Sequence, residues 1–191
     1  MQFPESWLRE FCNPPIGTAE LADLLTMSGL EVEELRPAAP AFTKVVVAEI
    51  IEAEQHPNAD RLRVCKVDAG THSKDGPLQI VCGAPNVAGG QKVIVALHGA
   101  RITGNAKIKK GKMRGQESNG MICSLAELGY SESVVSKKYA DGIFVLPAEA
   151  VPGTEVVDLL ELDDAILDID ITPNRADALS MRGSAYEVAA I

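Results

Sequence analysis

The chain has 191 residues, 46% of them hydrophobic, with 18 Lys and Arg against 27 Asp and Glu and a formal net charge of −9. That is ample apolar matter for a core, which excludes a disordered chain, and the net negative charge argues at first against a nucleic-acid partner. No apolar run approaches the roughly 18 residues of a membrane span, and Glu5, Arg9 and Glu10 break up the start of the chain where a signal-peptide core would be apolar.

Near the start, Ser6 is expected to cap a first helical turn carrying Trp7, Leu8 and Phe11, and Pro14-Pro15 stops it. Thr18 is expected to cap a second helix whose Leu21, Leu24, Leu25 and Ser28 share a face, with Gly29 just past its end, where a left-handed residue belongs. A strand follows over 30–35, with Leu30, Val32 and Glu34 on one face. Arg36-Pro37-Ala38-Ala39-Pro40-Ala41 then reads as a linker.

The centre reads as consecutive strands over 44–54, 61–68, 78–82 and 92–98, with a hairpin region over 107–123. They are rich in Val and Ile and separated by Gly, Pro or Asn, the pattern of a small Greek-key β-barrel. Alternation is imperfect in the first two, as expected of bent strands covered on both sides. A short helix is expected over 124–128 and a closing strand over 142–147. Beyond them, Leu167, Ile169 and Ile171 alternate with Asp168, Asp170 and Thr172 as a strand. Pro173-Asn174-Arg175-Ala176-Asp177 then turns into a helix with Ala178, Met181, Ala185 and Val188 on one face. That helix reaches Ile191 without a stop signal, which suggests a fragment of a longer protein.

The charge is unevenly spread. Residues 1–40 hold 2 basic and 7 acidic side chains and residues 147–191 hold 2 and 10, but residues 41–146 hold 14 and 10. A basic centre between acidic flanks marks domain edges. Each flank is about 40 residues, near the lower limit for an independent core. The expected organisation is therefore a discontinuous α+β domain formed by 1–40 and 151–191, with the barrel, 41–150, inserted between its halves.

Three phrases stand out: His56-Pro57-Asn58-Ala59-Asp60-Arg61-Leu62-Arg63-Val64, Ile80-Val81-Cys82-Gly83-Ala84-Pro85-Asn86 and Ser118-Asn119-Gly120-Met121-Ile122-Cys123-Ser124. In the first, Pro57 presets a turn and Asn58 and Asp60 can bond nearby amides, so the residues could simply shape a turn. The functional reading adds Arg61, Arg63 and Lys66 on the strand that follows. Cys82 beside glycine resembles a nucleophile, but His72 and His98 have no third residue to orient them, so a buried thiol at a tight strand exit is the better reading. Lys107, Lys109, Lys110, Lys112 and Arg114 form the only basic run, either a solvated hairpin or a phosphate contact. Ser118 precedes Asn119-Gly120, the strongest hairpin dipeptide in the chain. Cys12, Cys65, Cys82 and Cys123 lie 53, 17 and 41 residues apart with no CxxC pair, which suits neither zinc nor a disulfide framework and points to reduced thiols in the cytoplasm. Residues 42–147 carry only Phe42, Tyr130, Tyr139 and Phe144 as aromatics, too few for base stacking along a strand.

Taken in order, the three phrases resemble those of the OB-type tRNA-binding module found in or beside aminoacyl-tRNA synthetases. With Leu21-Ala22, Met27-Ser28-Gly29-Leu30-Glu31-Val32, Arg114-Gly115, Glu127-Leu128-Gly129 and Asp170-Ile171-Thr172-Pro173-Asn174-Arg175-Ala176-Asp177, essentially the whole chain resembles the N-terminal part of the β subunits of bacterial phenylalanyl-tRNA synthetases. Tyr186 departs from that pattern, which commonly has Arg there. The resemblance implies an OB-fold barrel within a class II α2β2 ligase that uses ATP and Mg2+ to charge tRNA(Phe) with phenylalanine. It implies partners in tRNA(Phe), the α subunit and a second β subunit. The synthetic site would lie in the α subunit, and the editing, magnesium-linked and anticodon-binding regions beyond residue 191. This segment would then hold no catalytic residue, metal or cofactor. Its RNA-binding candidates are Asn58, Arg61, Arg63, Lys66, Asn86, Lys107, Lys109, Lys110, Lys112, Arg114 and Ser118. Two other functions fit the composition: a stand-alone OB dimer acting as a chaperone or docking module, and a subunit-assembly segment that does not touch RNA.

Overall fold

Thr43–Gln55, rich in Val, Ile and Ala, make the longest strand among the described residues, and most of the second unit is hydrogen-bonded to it directly or through one neighbour. The computed structural model describes residues 1–39, 42–131 and 133–191; Pro40-Ala41, the end of the expected linker, lie outside the described residues. In chain order the elements are β1 (Gln2–Pro4), α1 (Glu5–Phe11), α2 (Thr18–Met27), β2 (Glu31–Pro37), β3 (Thr43–Gln55), β4 (Arg63–Asp68), β5 (Leu78–Cys82) and β6 (Lys92–Ile102). They continue with β7 (Ala106–Lys107), β8 (Gly111–Met113), β9 (Gln116–Ser118), β10 (Gly120–Ile122), α3 (Lys137–Ala140), β11 (Val145–Leu146), α4 (Val156–Leu159), β12 (Ala165–Asp170) and α5 (Met181–Ala190). The chain divides into two compact units, Met1–Ala39 with Glu161–Ile191, and Pro40–Leu160.

In the first unit, β12 lies between β1 and β2 in an antiparallel sheet. Leu167 and Ile169 are buried with Phe3, Leu8, Leu21, Leu25 and Met181, so the alternation in the sequence faces the helices. Gly29 has φ +96, Leu30 N–H reaches Leu25 O at 3.0 Å and Gly29 N–H reaches Thr26 O at 3.1 Å. This is a Schellman end to α2, with Leu25 and Leu30 both buried beneath it. Arg175 joins Asp177 at 3.2 Å and Glu187 at 2.7 Å, fixing the turn before α5.

The caps differ from expectation. Helix α1 begins at Glu5, and Ser6 instead donates to Asp164 Oδ2 at 2.6 Å. Gly17, not Thr18, is the N-cap of α2. The final helix starts at Met181, where Ser180 Oγ accepts from Gly183 N–H at 3.1 Å, because residues 173–178 form 3-10 turns first.

The second unit is mostly sheet. Its antiparallel order is β10-β6-β3-β4-β5, with β7 and β11 also pairing with β6. The sheet curls: Asn119 N–H donates to Gln79 O at 2.8 Å and Val81 N–H to Ser118 Oγ at 3.1 Å, bringing the outer strand β5 against the segment that joins β9 to β10. Val46, Ile50, Val67, Ile80, Val93 and Ile122 fill the half-barrel, each such buried side chain contributing about 1.5–3 kcal/mol.

Two expectations fail here for reasons of pairing. The tight hairpin is at Arg114-Gly115, where φ is +47 and +96 between the paired Met113 and Gln116, as a type I′ turn requires. Asn119-Gly120 instead passes the chain from the β8–β9 ribbon into the main sheet. Residues 124–128 form hydrogen-bonded turns rather than a helix, with the amide and hydroxyl of Ser124 taken by the Glu127 carboxylate.

Residues 151–160 also change sides relative to the expected boundary. Gly153 N–H donates to Val47 O and Val47 N–H to Thr154 O, each at 2.8 Å, so this stretch pairs with β3 and belongs to the second unit. β3 is bonded along both edges there, and Val45 to Ala48 are all buried.

Candidate nucleic-acid interface

The first phrase folds into a turn held from inside. Gln55 Nε2 donates to the carbonyls of Ala59, Asp60 and Leu62 at 2.9, 3.1 and 3.2 Å, and His56 N–H bonds Leu62 O at 3.0 Å. His56 is 2% exposed. Its Nδ1 accepts from Asn58 N–H at 3.0 Å, which leaves the proton on Nε2 to donate to Met113 O at 3.0 Å. Asn58 Nδ2 donates to Arg114 O at 3.3 Å. Rather than bonding amides within its own turn, as its residue type leads one to expect, Asn58 ties that turn to the β8–β9 hairpin. The result brings Arg114 to the turn that carries Arg61.

Arg63 opens β4, paired between Gln55 and Cys82. Arg61 and Arg63 line an open groove of about 350 Å³ together with Gln55, Asp60 and, from the second phrase, Gly83, Ala84 and Pro85, so two guanidinium groups outweigh one carboxylate there. Arg61, Arg63 and Arg114 are exposed and make no ion pair among the described residues. Unpaired guanidinium groups beside an open groove suit phosphate, which they can meet with two parallel N–H bonds.

The other candidates are placed differently. Lys66 donates to Glu52 at 2.7 Å across β3 and β4, and that bond raises its pKa above the ordinary lysine value, so its charge is already matched. Lys107, Lys109, Lys110 and Lys112 are exposed, Lys112 lying 3.9 Å from Glu117. Asn86 and Ser118 turn inward. Asn86 grips the Ile143 backbone at both ends, Nδ2 donating to the carbonyl at 2.9 Å and Oδ1 accepting from the amide at 3.0 Å. Ser118, 4% exposed, accepts from Val81 N–H and donates to Gly120 O. The hydrogen bonds of both side chains go to the backbone of the half-barrel itself.

The buried thiols are held in their protonated form. Burial pushes the Cys65 thiol up to about 11 and the Cys123 thiol up to about 12, and raises Cys82 as well, whose sulfur accepts from the Ala84 amide at 3.5 Å. Among the described residues no group of three or more His, Cys, Asp or Glu side chains could hold a metal ion, and no helix is long and apolar enough to cross a membrane.

Residues 45–155 match the model of the "Putative tRNA binding domain" family. The chain belongs to this tRNA-binding-domain family. The match takes in the Arg61–Arg63 groove, the basic run and the 153–155 stretch that pairs with β3. Curated relatives extend beyond the domain. The chain is 58% identical over all 191 residues to the phenylalanine–tRNA ligase β subunit of Chromobacterium violaceum, and 54% identical over 97% of its length to that of Streptococcus thermophilus. It spans 23% of the length of each. A MetRS-related protein from Pyrococcus horikoshii, known from its crystal structure, is 21% identical with a TM-score of 0.41, over 59% of this chain and 87% of its own.

Sequence reasoning missed His56 and Gln55 as organisers of this tRNA-binding domain. The signal was present in the short spacing from Gln55 to Leu62, but the partner of His56 is 57 residues away.

Proposed function

We propose that the chain is the tRNA-binding part of a phenylalanine–tRNA ligase β subunit, its second unit an OB-type Greek-key barrel inserted between the halves of a small α+β domain. The observation that carries this reading is the groove that Arg61 and Arg63, in no ion pair among the described residues, line with Asp60 and Gly83 to Pro85, inside the stretch that matches the family. Arg114 is held beside it, and Lys107, Lys109, Lys110 and Lys112 supply further exposed charge. With few aromatic side chains on this unit, recognition rests on phosphates and the shape of folded tRNA.

Identity of 54–58% along nearly the full chain supports the wider assignment. The parent would be a cytoplasmic class II α2β2 enzyme, its partners tRNA(Phe), the α subunit and a second β subunit. ATP and Mg2+ would be used outside this segment, which binds and scaffolds.

Mapping by nuclear magnetic resonance tests the proposal. Adding tRNA at low salt should shift the amides of Arg61, Arg63, Gly83 and Ala84 saturably and leave those of β1 and β2 in place. Shifts absent from the groove, or confined to the acidic first unit, would contradict it.

A further inference from the structure

Cations far apart in sequence gather at the other end of β3 from this groove. Thr43 pairs with Arg101 on β6, and Arg101 pairs in turn with Lys107 on β7. Ala100 and Ile102 are buried, so Arg101 between them points outward, and Lys107 directly opposite shares that face. Lys44 joins them: its Nζ lies 3.7 Å from where a Cβ on Gly99, two residues before Arg101, would stand. Lys109 and Lys110 continue the exposed run.

This arrangement works against folding. Like charges directly opposite on neighbouring strands repel. Lys44 takes a left-handed backbone, φ +56, at the bulge in the β3–β6 pairing, and Asn105, whose side chain accepts from Arg101, does the same at φ +60. Away from this face and from the Arg63 groove, two strand cations are matched across the sheet, Lys66 with Glu52 and Lys92 with Glu49. Among the described residues Lys44, Arg101, Lys107, Lys109 and Lys110 have no carboxylate within ion-pair distance, in a chain that carries 27. A surface that keeps its repulsion and strain and excludes the available carboxylates is built for an anion from outside.

We infer that the outward face of β3, β6 and β7, centred on Arg101 and Lys107 with Lys44, is a second RNA contact that grips the phosphate backbone of a double-stranded stem. It rests on the tRNA-binding reading and extends it to a separate place on the molecule: groove and face stand at opposite ends of a 13-residue strand with a contour of about 40 Å. The stem follows from the side chains. Those gathered here are mostly flexible lysines with no Phe, Tyr or Trp among them, and the one guanidinium, Arg101, is already held by Asn105, so unstacked bases find little to stack on, whereas an A-form duplex presents regular phosphates.

The test uses the full 191-residue chain, a salt series and three labelled probes: tRNA, a short blunt-ended RNA duplex and oligouridylate. Arg101→Gln/Lys107→Gln should lower the slope of log affinity against log salt by about 1.4–1.8 for tRNA and duplex, the release of two phosphates' counterions, and leave oligouridylate binding unchanged. Its melting temperature should stay level or rise as the repulsion is relieved. Lys107→Gln alone keeps the Arg101–Asn105 bond and should lower the slope by about half as much, so it carries the test if the double variant misfolds. Lys74→Gln, an exposed lysine elsewhere in the same unit, should change nothing. An unchanged slope for tRNA and duplex, an equal loss in Lys74→Gln, or a loss seen only with oligouridylate would overturn the inference while leaving tRNA binding in place. A wild-type chain that binds no tRNA at any salt would overturn the tRNA-binding reading, and this face with it.

Discussion

His56 donates from Nε2 to the carbonyl of Met113 at 3.0 Å, joining the turn before β4 to the end of β8. The same ring accepts the Asn58 amide at Nδ1, so one buried imidazole holds two loops and spends both nitrogens doing so. Arg61 and Arg114, one in each loop, inherit their positions from it.

Replacing His56 with Ala should leave the Met113 carbonyl and the Asn58 amide without partners and open a void beneath them. A loss of about 1–3 kcal/mol is expected in urea unfolding, with tRNA binding weakened further than Lys74→Gln weakens it. A stable variant with unchanged tRNA affinity would show that the clamp positions nothing.

Asn86 should behave as a structural residue. Asn86→Ala removes both bonds to the Ile143 backbone, and a drop of about 1–2 kcal/mol is expected, with tRNA affinity nearly unchanged while the protein stays folded. Gly142→Ala should be as harmful from the other side: at φ +157 a methyl would stand 2.2 Å from Asn86 Oδ1. Thermal melts of both variants check this.

Thiol chemistry should separate the cysteines. Cys12 is partly exposed, whereas Cys65, Cys82 and Cys123 are buried. Burial also keeps these last three protonated well above neutrality. Alkylation at pH 8 followed by mass spectrometry should give one adduct on the native chain and four in denaturant.

Acid should weaken the first unit in a defined window. A hydrogen bond from Gln2 lowers the Asp168 pKa below its usual 3.8, and one from Arg175 does the same for Asp177. Because the folded values lie below the unfolded ones, these carboxylates stabilise fully above the usual carboxylate range and lose that contribution as pH falls through the folded values. Unfolding midpoints should hold steady from neutral pH to about 5 and then decline. Asp168→Asn/Asp177→Asn should be less stable at neutral pH and decline less steeply.

Much of this was legible from local chemistry. Gly29 after an amphipathic stretch announced the end of α2, and Leu167 and Ile169 announced a half-buried strand, because each needs only its near neighbours. The failures are long-range. Asn-Gly is the stronger hairpin signal, yet Arg114-Gly115 forms the turn, since Ser118 and Asn119 are drawn to β5 instead. Asn86 reads as an exposed loop residue until Ile143 arrives beside it. Residues 151–160 look like an acidic flank until Val47 pairs with them. For the interface, composition found the basic run but not Arg101, which only strand register places opposite Lys107, nor Lys44, which the bulge in β3 brings over Gly99.

The decisive measurement is the affinity of the 191-residue chain for tRNA along a salt series, for the wild type and for Arg61→Gln/Arg63→Gln. The wild type should bind at low salt and weaken steeply as salt rises, and the variant should bind less tightly with a slope shallower by about 1.4–1.8. Affinity indifferent to salt, or a variant that matches the wild type throughout, would contradict phosphate recognition by this groove.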